Sequence, residues 1–198
     1  MLKGYLASPL FTIGERYLNE EIAKILRGSI KDLELHVPQE NENINDKTQH
    51  ASSMEVAEAD LKPLSDSNFV IAVLDGSEID SGVSAEIGVA HALGIPVIAL
   101  FSDIRQEGNK NKDKIQALVY DSTESSFAYR NLFTIGLIKL GNGIIVKTLE
   151  ELEYAVRLMF EANEYADDIK EYIETKRVIL NEEKWRDWDG VFKEIKQN

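Results

Sequence analysis

Five short apolar runs alternate with longer stretches of helical spacing, and this alternation constrains the fold more than any other feature of the sequence. The apolar runs are typical of buried strands, and the stretches between them are long enough for crossover helices. Strands that alternate with helices predict a parallel sheet. We expect a flavodoxin-like (Rossmann-like) doubly wound α/β fold, for which the strand order is 2-1-3-4-5. The predicted strands are residues 3–7, 33–37, 69–74, 97–101 and 143–146. The predicted helices are residues 15–26, 49–64, 82–93, 112–119 and 149–165, with Gly28, Gly94 and Pro96 as stop signals.

The length of 198 residues suits one domain with an appended segment. We expect an α/β domain at residues 1–163 and a helical C-terminal extension at residues 164–198, where the composition becomes more charged. Apolar residues recur in this extension at helical spacing. We expect this stripe to pack against the same chain or a neighbouring subunit, with an active-site lid as the alternative. The stripe consists of Trp185, Trp188, Val191, Phe192 and Ile195. The polar segment at residues 103–114 is predicted to be an exposed loop.

Charge and composition argue against several classes of function. The formal net charge of −13 disfavours nucleic-acid binding, because a polyanion is attracted by a positive field. The chain contains no cysteine and its three histidines lack metal-ligand spacing, so neither a disulfide nor a metal site is expected. No apolar run approaches the roughly 20 residues of a membrane helix, and Ser8 and Pro9 interrupt the N-terminus too soon for a secretory leader. We therefore expect a cytoplasmic protein that acts on small molecules.

An acidic turn after the third predicted strand is the strongest candidate for a functional site. From Leu74 to Gly88 the chain leaves an apolar strand, passes through this turn and enters a helix that carries Glu86. In a doubly wound sheet of this order, strands one and three flank the ligand crevice, so the loops at residues 8–11 and 75–82 should open onto it. The neighbours of Glu86 at three- and four-residue spacing are small and apolar. Its carboxylate is therefore predicted to face inward, and a solvated surface glutamate is the alternative.

Two further carboxylates accompany Glu86. Asp80 lies at the mouth of the same helix, where it also suits a helix cap, and Asp60 lies on the preceding helix, where aspartates are often only solvated. Three carboxylates around one crevice favour glycosyl transfer, in which one attacks the anomeric carbon and another handles the proton of the leaving group. Such crowding also raises at least one carboxylate pKa. The rival use of clustered aspartates, Mg²⁺ binding for phosphoryl transfer, lacks a phosphate-binding loop in this sequence.

Four motifs, in order along the chain, resemble those of the nucleoside 2-deoxyribosyltransferase family over roughly residues 1–160. They are Tyr5-Leu6-Ala7-Ser8-Pro9-Leu10-Phe11, Asp60, Asp80-Ser81-Gly82-Val83-Ser84-Ala85-Glu86-Ile87-Gly88 and Asn131-Leu132-Phe133. The resemblance implies a retaining transfer of 2-deoxyribose between nucleobases through a covalent deoxyribosyl-enzyme intermediate. It implies 2'-deoxyribonucleosides and free nucleobases as substrates, and no cofactor.

The resemblance also implies roles for the matched residues. Glu86 is expected to be the nucleophile, and Asp60 and Asp80 to hydrogen-bond the base and shuttle its proton. Around the base we expect Phe11, Phe133 and Gln39. Gly82 is expected at the site for its size, since a small residue allows close approach of a ligand, and plain helix packing is the alternative. Tyr5 is expected to hold Glu86, and Asn131 to come from an adjacent subunit. The site is then complete only in a homo-oligomer, a hexamer or smaller. On position alone, Phe11, Tyr5, Gln39 and Asn131 are core, strand, loop and turn residues.

Two other functions stay open. A 2'-deoxynucleoside 5'-phosphate N-hydrolase shares the carboxylates but uses water as acceptor and needs a phosphate pocket. The apolar stretch at residues 8–12 and the acidic charge rank this hydrolase second. A non-catalytic nucleotide-sensing module would bind in the same crevice, but a buried carboxylate costs desolvation unless it is used. Compact family members end soon after the last core helix, whereas residues 164–198 follow here, so the contact to the sugar 5'-hydroxyl is left unassigned.

Overall fold

A parallel sheet of five strands forms the centre of the computed structural model, which describes residues 2–46, 48, 50–121 and 130–164. The strand order β2-β1-β3-β4-β5 confirms the predicted doubly wound α/β fold and its flavodoxin-like order. The register places Tyr5 of the first strand opposite His36 on one side and Val70 on the other. The strands are β1 (Leu2–Ala7), β2 (Leu33–His36), β3 (Phe69–Val73), β4 (Val97–Leu100) and β5 (Ile144–Val146).

The sequence provides the caps at which the helices begin. The helices are α1 (Ile13–Ser29), α2 (Glu42–Asn45), α3 (Ser53–Ser65), α4 (Ser81–Ala92), α5 (Lys112–Tyr120), α6 (Leu132–Leu140) and α7 (Leu149–Glu164). A capping box of Thr12 and Glu15 starts α1, and one of Ser52 and Glu55 starts α3. Because Ser52 accepts the hydrogen bond of an otherwise unpaired amide, α3 begins at Ser53 and not at the predicted residue 49.

Two segments differ from the sequence prediction. The exposed loop predicted at residues 103–114 is wrong in its conformation, since the chain forms a 3₁₀ helix at Ile104–Lys110 and then enters α5. Asp103 and Asn111 accept hydrogen bonds from the amides that follow them, so residues typical of loops cap both helices here. The helix α6 is not predicted by the sequence, because its apolar side chains surround the whole helix and leave no one-sided period.

The reversal of strand order beside β1 places the helices and opens the crevice. The helices α3, α4 and α6 cover one face of the sheet, where Leu64, Ile87 and Ile138 pack against strand residues such as Val70. The helix α1 connects β1 to β2 in the opposite direction, so a right-handed crossover puts it on the other face. The carboxyl ends of β1 and β3 therefore flank an opening between the two helix layers.

By its internal contacts the chain divides into two compact units, Met1–Val156 and Arg157–Asn198. The sheet and all of the predicted site residues belong to the first unit. Apart from Glu164, the predicted extension at residues 164–198 lies outside the described residues. Within the described ranges, none of the helices combines the length and the apolar character that crossing a membrane requires.

Candidate active site

The acidic turn after β3 is fastened from two sides. Gly76 adopts a φ of 108°, a conformation that side chains rarely allow, and this lets the chain reverse after Leu74. The carboxylate of Asp75 accepts hydrogen bonds from the amide and the hydroxyl of Ser102, which follows β4. Arg130 donates to the carbonyls of Leu74 and Gly76 at 2.6 and 2.9 Å. The turn is thus a fixed platform from which α4 starts.

Glu86, in the second turn of α4, faces into the fold. The hydroxyl of Tyr5 donates a 2.5 Å hydrogen bond to Oε1 of Glu86. Tyr5 is completely buried in β1, whereas Glu86 keeps partial exposure. The pair therefore presents a carboxylate at the end of the sheet, fixed on one side by a rigid phenol.

The surroundings of Glu86 disfavour its negative charge. Burial is the main cause, and the carboxylates of Asp60 and Asp80 add to it, so the pKa of Glu86 rises to about 7. The hydrogen bond from Tyr5 opposes this rise, because it stabilises the ionised carboxylate. Burial, followed by the charge of Glu86, raises the pKa of the Tyr5 phenol far above its ordinary value, so the phenol stays a donor. Near neutral pH, Glu86 exchanges readily between its acid and its carboxylate.

Asp60 and Asp80 approach this carboxylate from α3 and from the start of α4. Burial raises the pKa of Asp60, and the nearby His36 opposes that rise. Asp80 caps α4, and its Oδ1 accepts from the amides of Gly82 at 2.8 Å and of Val83 at 3.2 Å. A Cβ on residue 82 would lie 3.0 Å from this oxygen, which explains the glycine. The capping role that the sequence suggested for Asp80 is therefore confirmed, and it engages one of the two carboxylate oxygens.

Gln39 is tied to the loop after β1 through Asn19 of α1. Asn19 is 2% exposed; it accepts a hydrogen bond from the hydroxyl of Ser8 and donates to Oε1 of Gln39 at 3.1 Å. The amide nitrogen of Gln39 donates to a backbone carbonyl and a carboxylate of α1. The side chain of Gln39 is therefore oriented by the chain itself, beside the loop that carries Phe11.

The remaining predicted contacts lie at exposed positions. Phe11 is 75% exposed ahead of α1, and Phe133 is 74% exposed in the first turn of α6. Asn131 caps α6, because its Oδ1 accepts from the amides of Phe133 and Thr134. The helix α6 packs beside α4, the helix of Glu86. Hydrogen bonding and electrostatics within this chain link Tyr5, Asp60, Asp80 and Glu86.

Sequence reasoning missed two residues near the site. Asn19 lies on the buried stripe of α1 together with Ile22 and Leu26, so a polar residue on an apolar helix face was an available signal. His36 ends β2 and stacks on the Tyr5 ring, with centroids 5.4 Å apart and planes inclined by 12°. Its signal is the register beside Tyr5, which becomes visible only when the two strands are paired.

The arrangement suits attack by a carboxylate on an electrophilic carbon. Glu86 combines partial desolvation with a fixed orientation, and both strengthen a carboxylate nucleophile relative to one in water. Asp60 has a raised pKa and can carry a proton closer to neutral pH than an exposed aspartate. In the part of the chain that the structure describes, no group of acidic and histidine side chains is arranged to hold a metal ion.

Comparison with known proteins identifies a family and several structural relatives. The family model for nucleoside 2-deoxyribosyltransferases matches residues 5–131. A conserved protein from Enterococcus faecalis V583, known as a crystal structure, is 43% identical; the match covers 79% of this chain and 98% of that one, with a TM-score of 0.75. A 2-deoxyribosyltransferase from Bacillus psychrosaccharolyticus is 24% identical, over 50% of this chain and 71% of its own, with a TM-score of 0.43. A CMP N-glycosidase from Clostridium botulinum is 19% identical, over 79% and 98%, with a TM-score of 0.42. No curated protein matches the chain.

Proposed function

This chain belongs to the nucleoside 2-deoxyribosyltransferase family, and we propose that it exchanges the nucleobase of 2'-deoxyribonucleosides for a free base. The sugar passes between bases with retention at the anomeric carbon, through a covalent ester on Glu86. The observation that carries this proposal is the partly desolvated Tyr5–Glu86 pair with two further carboxylates beside it.

In the first half-reaction, a carboxylate oxygen of Glu86 bonds to the anomeric carbon as the glycosidic C–N bond breaks. The electron pair of that bond goes to the base nitrogen, which takes a proton from the carboxylic acid of Asp60 and leaves as a neutral base. Asp60 suits this role because burial raises its pKa, so it retains a proton at higher pH than an ordinary aspartate. The Tyr5 hydroxyl remains on the other oxygen of Glu86 and fixes the direction of attack.

In the second half-reaction, a nitrogen of the incoming base attacks the same carbon and the ester electrons return to Glu86. The carboxylate of Asp60 accepts the N–H proton of the incoming base, which resets the site. Asp80 holds the base by hydrogen bonding with the carboxylate oxygen that does not cap α4. Two displacements on one carbon give net retention. A 2'-hydroxyl would withdraw electrons from the developing cation, so its absence lowers the barrier for deoxyribose.

The base is positioned by side chains around the crevice. Both hydrogens of the Gln39 amide nitrogen are engaged by α1, so Gln39 offers the free lone pair of Oε1 to an amino group of the base. Phe11 and Phe133 provide the exposed rings against which a base can stack. Gly82 leaves room for the sugar beside Glu86. In a homo-oligomer, Asn131 contacts the substrate sugar that is bound in the site of a neighbouring subunit.

The test is a chromatographic assay of 2'-deoxyinosine with free adenine. The wild type is expected to form 2'-deoxyadenosine and hypoxanthine in equal amounts, and Glu86→Ala to lose at least about 10³-fold in rate, since the nucleophile itself is removed. Glu78→Gln is the matched control, because Glu78 is an exposed carboxylate in the same acidic turn.

The other products distinguish the rival functions. Release of hypoxanthine without formation of deoxyadenosine would show that the protein is a hydrolase and not a transferase. A parallel reaction with 2'-deoxyinosine 5'-phosphate then reveals whether the substrate must carry a phosphate. Nucleoside binding without turnover in either assay would favour a sensing module. The strongly acidic chain argues against phosphorylated substrates, because its field repels them.

A further inference from the structure

The ring of His36 covers the phenol of Tyr5 on the side of β2. The two residues are Cα partners in the parallel register, and their rings stack at 5.4 Å with a 12° inclination. Tyr5 in turn donates to Glu86 at 2.5 Å. No described hydrogen bond joins His36 to Glu86, so the stack on the phenol is its contact toward the proposed nucleophile.

The imidazole is held by packing and not by hydrogen bonding at its buried nitrogen. Nε2 of His36 is buried and has no hydrogen-bond partner among the described residues. Burial lowers the pKa of His36, against the opposing charges of Asp60 on α3 and of Glu40, which follows β2. The ring is therefore neutral at neutral pH and acts as an uncharged flat surface. A buried nitrogen without a hydrogen-bond partner costs free energy, so Nε2 of His36 does not stabilise the folded state.

We propose that His36 is a positioning residue, whose ring holds the Tyr5 phenol against Glu86 so that the carboxylate keeps its direction of attack. This inference rests on the proposed function for its kinetic consequences, but its structural claim concerns only the stack and the Tyr5–Glu86 bond. An aromatic ring stacked at this distance restricts the tilt of its neighbour, and misplacement of a reacting group by about 1 Å can slow a reaction about 10²-fold.

The flat ring, and not the imidazole nitrogen, is the active feature, and this separates two substitutions. His36→Leu fills the space but removes the stack, and we expect kcat to fall about ten- to a hundred-fold with KM changed less than about twofold. His36→Phe keeps a flat ring for the stack and removes both ring nitrogens, including the unpartnered Nε2, and it is expected to rescue kcat to within about threefold of the wild type. Glu34→Gln, two residues earlier on β2, is the matched control for changes in this strand.

A double-mutant cycle with Tyr5 tests whether His36 acts through the phenol. Tyr5→Phe removes the donor, so adding His36→Leu to Tyr5→Phe should lower kcat by less than about twofold. A merely structural role predicts the opposite, namely that His36→Leu has the same effect in both backgrounds. A loss of activity in His36→Phe, expressed mainly in KM, would overturn the proposal, because an imidazole nitrogen would then contribute to substrate binding.

A readout without turnover keeps this inference separate from the proposed function. The hydroxyl proton of a buried tyrosine bonded to a carboxylate exchanges slowly and resonates far downfield, and Tyr5→Phe assigns it. We expect the wild type and His36→Phe to show this resonance and His36→Leu to lose it. If the wild type shows the resonance but exchanges no bases, the proposed function fails and the stack stands; if His36→Leu retains both the resonance and full kcat, the inference about His36 fails.

Discussion

At the residue scale, the site depends on a carboxylate that the fold makes costly to ionise. Burial and two neighbouring carboxylates raise the pKa of Glu86 to about 7, while the phenol of Tyr5 partly offsets this cost. The proposed reaction needs Glu86 ionised and Asp60 protonated, so the ionisation of Glu86 is followed alone in Asp60→Asn, whose residual kcat/KM is expected to fall about tenfold per pH unit below about 7. A pH profile between pH 5 and 8 measures this directly. A flat profile over that range would show that ionisation of Glu86 does not control the reaction.

The cost of ionising Glu86 predicts that the folded protein becomes more stable when this charge is removed. An ordinary glutamate has a pKa of about 4.3, whereas Glu86 in the folded protein has a pKa of about 7. The folded state therefore binds the proton of Glu86 more tightly than the unfolded state. The resulting stabilisation is fully present below about pH 4.3 and is lost as the pH rises through about 7. Glu86→Gln stays neutral and can still accept from Tyr5. It should therefore be more stable than the wild type at pH 8, by up to about 3 kcal/mol, with the gain shrinking toward pH 4.5. Urea unfolding at both pH values measures the difference, and an equal gain at both would contradict the electrostatic cause.

The sequence predicted the placement of individual residues unevenly, for a physical reason. Glu86 was recognisable because its helical neighbours are small and apolar, and Asp80 because it precedes the helix that it caps. His36 depends on the strand across from it, a contact that sequence spacing does not contain. The roles of Gln39, Phe11 and Phe133 depend on a bound substrate and stay predictions.

At the element scale, Asp80 has two roles: one carboxylate oxygen caps α4, and the other is proposed to bind the base. Asn at position 80 keeps an oxygen for the amides of Gly82 and Val83 but loses the charge, whereas Ala loses both. Asp80→Ala should lower the free energy of unfolding by about 1 kcal/mol and Asp80→Asn by only a few tenths. Both should lower base exchange by at least about tenfold, since both remove the carboxylate. If Asp80→Asn retains full activity, Asp80 is a cap alone.

Arg130 gives a second prediction at this scale, because it joins the acidic turn to the rest of the sheet edge. Its side chain is 4% exposed, and its guanidinium donates to the carbonyls of Leu74 and Gly76 and lies 3.6 Å from the carboxylate of Asp103. Arg130→Ala removes the donor to the carbonyl of the buried Leu74 and is expected to cost about 2–3 kcal/mol of unfolding free energy, with a lower kcat.

Arg105 provides the control for this substitution, because it pairs with the same aspartate from the surface. Arg105→Ala should change the unfolding free energy by less than about 1 kcal/mol, as exposed ion pairs contribute little. Equal effects in the two variants, measured by urea unfolding, would show that Arg130 does not fasten the turn.

Elements with a one-sided pattern could be predicted from the sequence, and elements without one could not. The strand runs and α1 have clear periods and breakers, and their bounds agree to within a few residues. The helix α6 reads as apolar on all sides because it packs beside α4 and over the sheet while its first turn stays exposed. Such a helix shows no hydrophobic period, so its existence followed only from the structure.

At the scale of the whole molecule, the alternation of strands and helices predicted a parallel sheet, and crossover handedness leaves few topologies for it. The flavodoxin-like order expected among them is the one that the structure shows. What one sequence does not contain is the surface where two copies meet. Exposed apolar side chains at the starts of α1 and α6 suit an interface of the expected homo-oligomer, and they are Phe11, Ile13, Leu132 and Phe133. Whether Asn131 completes the site of a neighbour is therefore a prediction about the assembly.

Subunit complementation tests that prediction without a structure of the assembly. Asn131→Asp keeps an oxygen to cap α6 but loses the amide donor, so it should inactivate the neighbour's site without unfolding its own helix. Glu86→Gln inactivates only the site of the subunit that carries it.

If Asn131 acts across an interface, a mixed dimer of the two variants contains one site with both native residues and one with neither. Random mixing by refolding should then restore about a quarter of the wild-type activity, because half of the dimers are mixed and each has one working site. Mixtures that stay as inactive as the separate variants would place Asn131 and Glu86 in the same subunit's site.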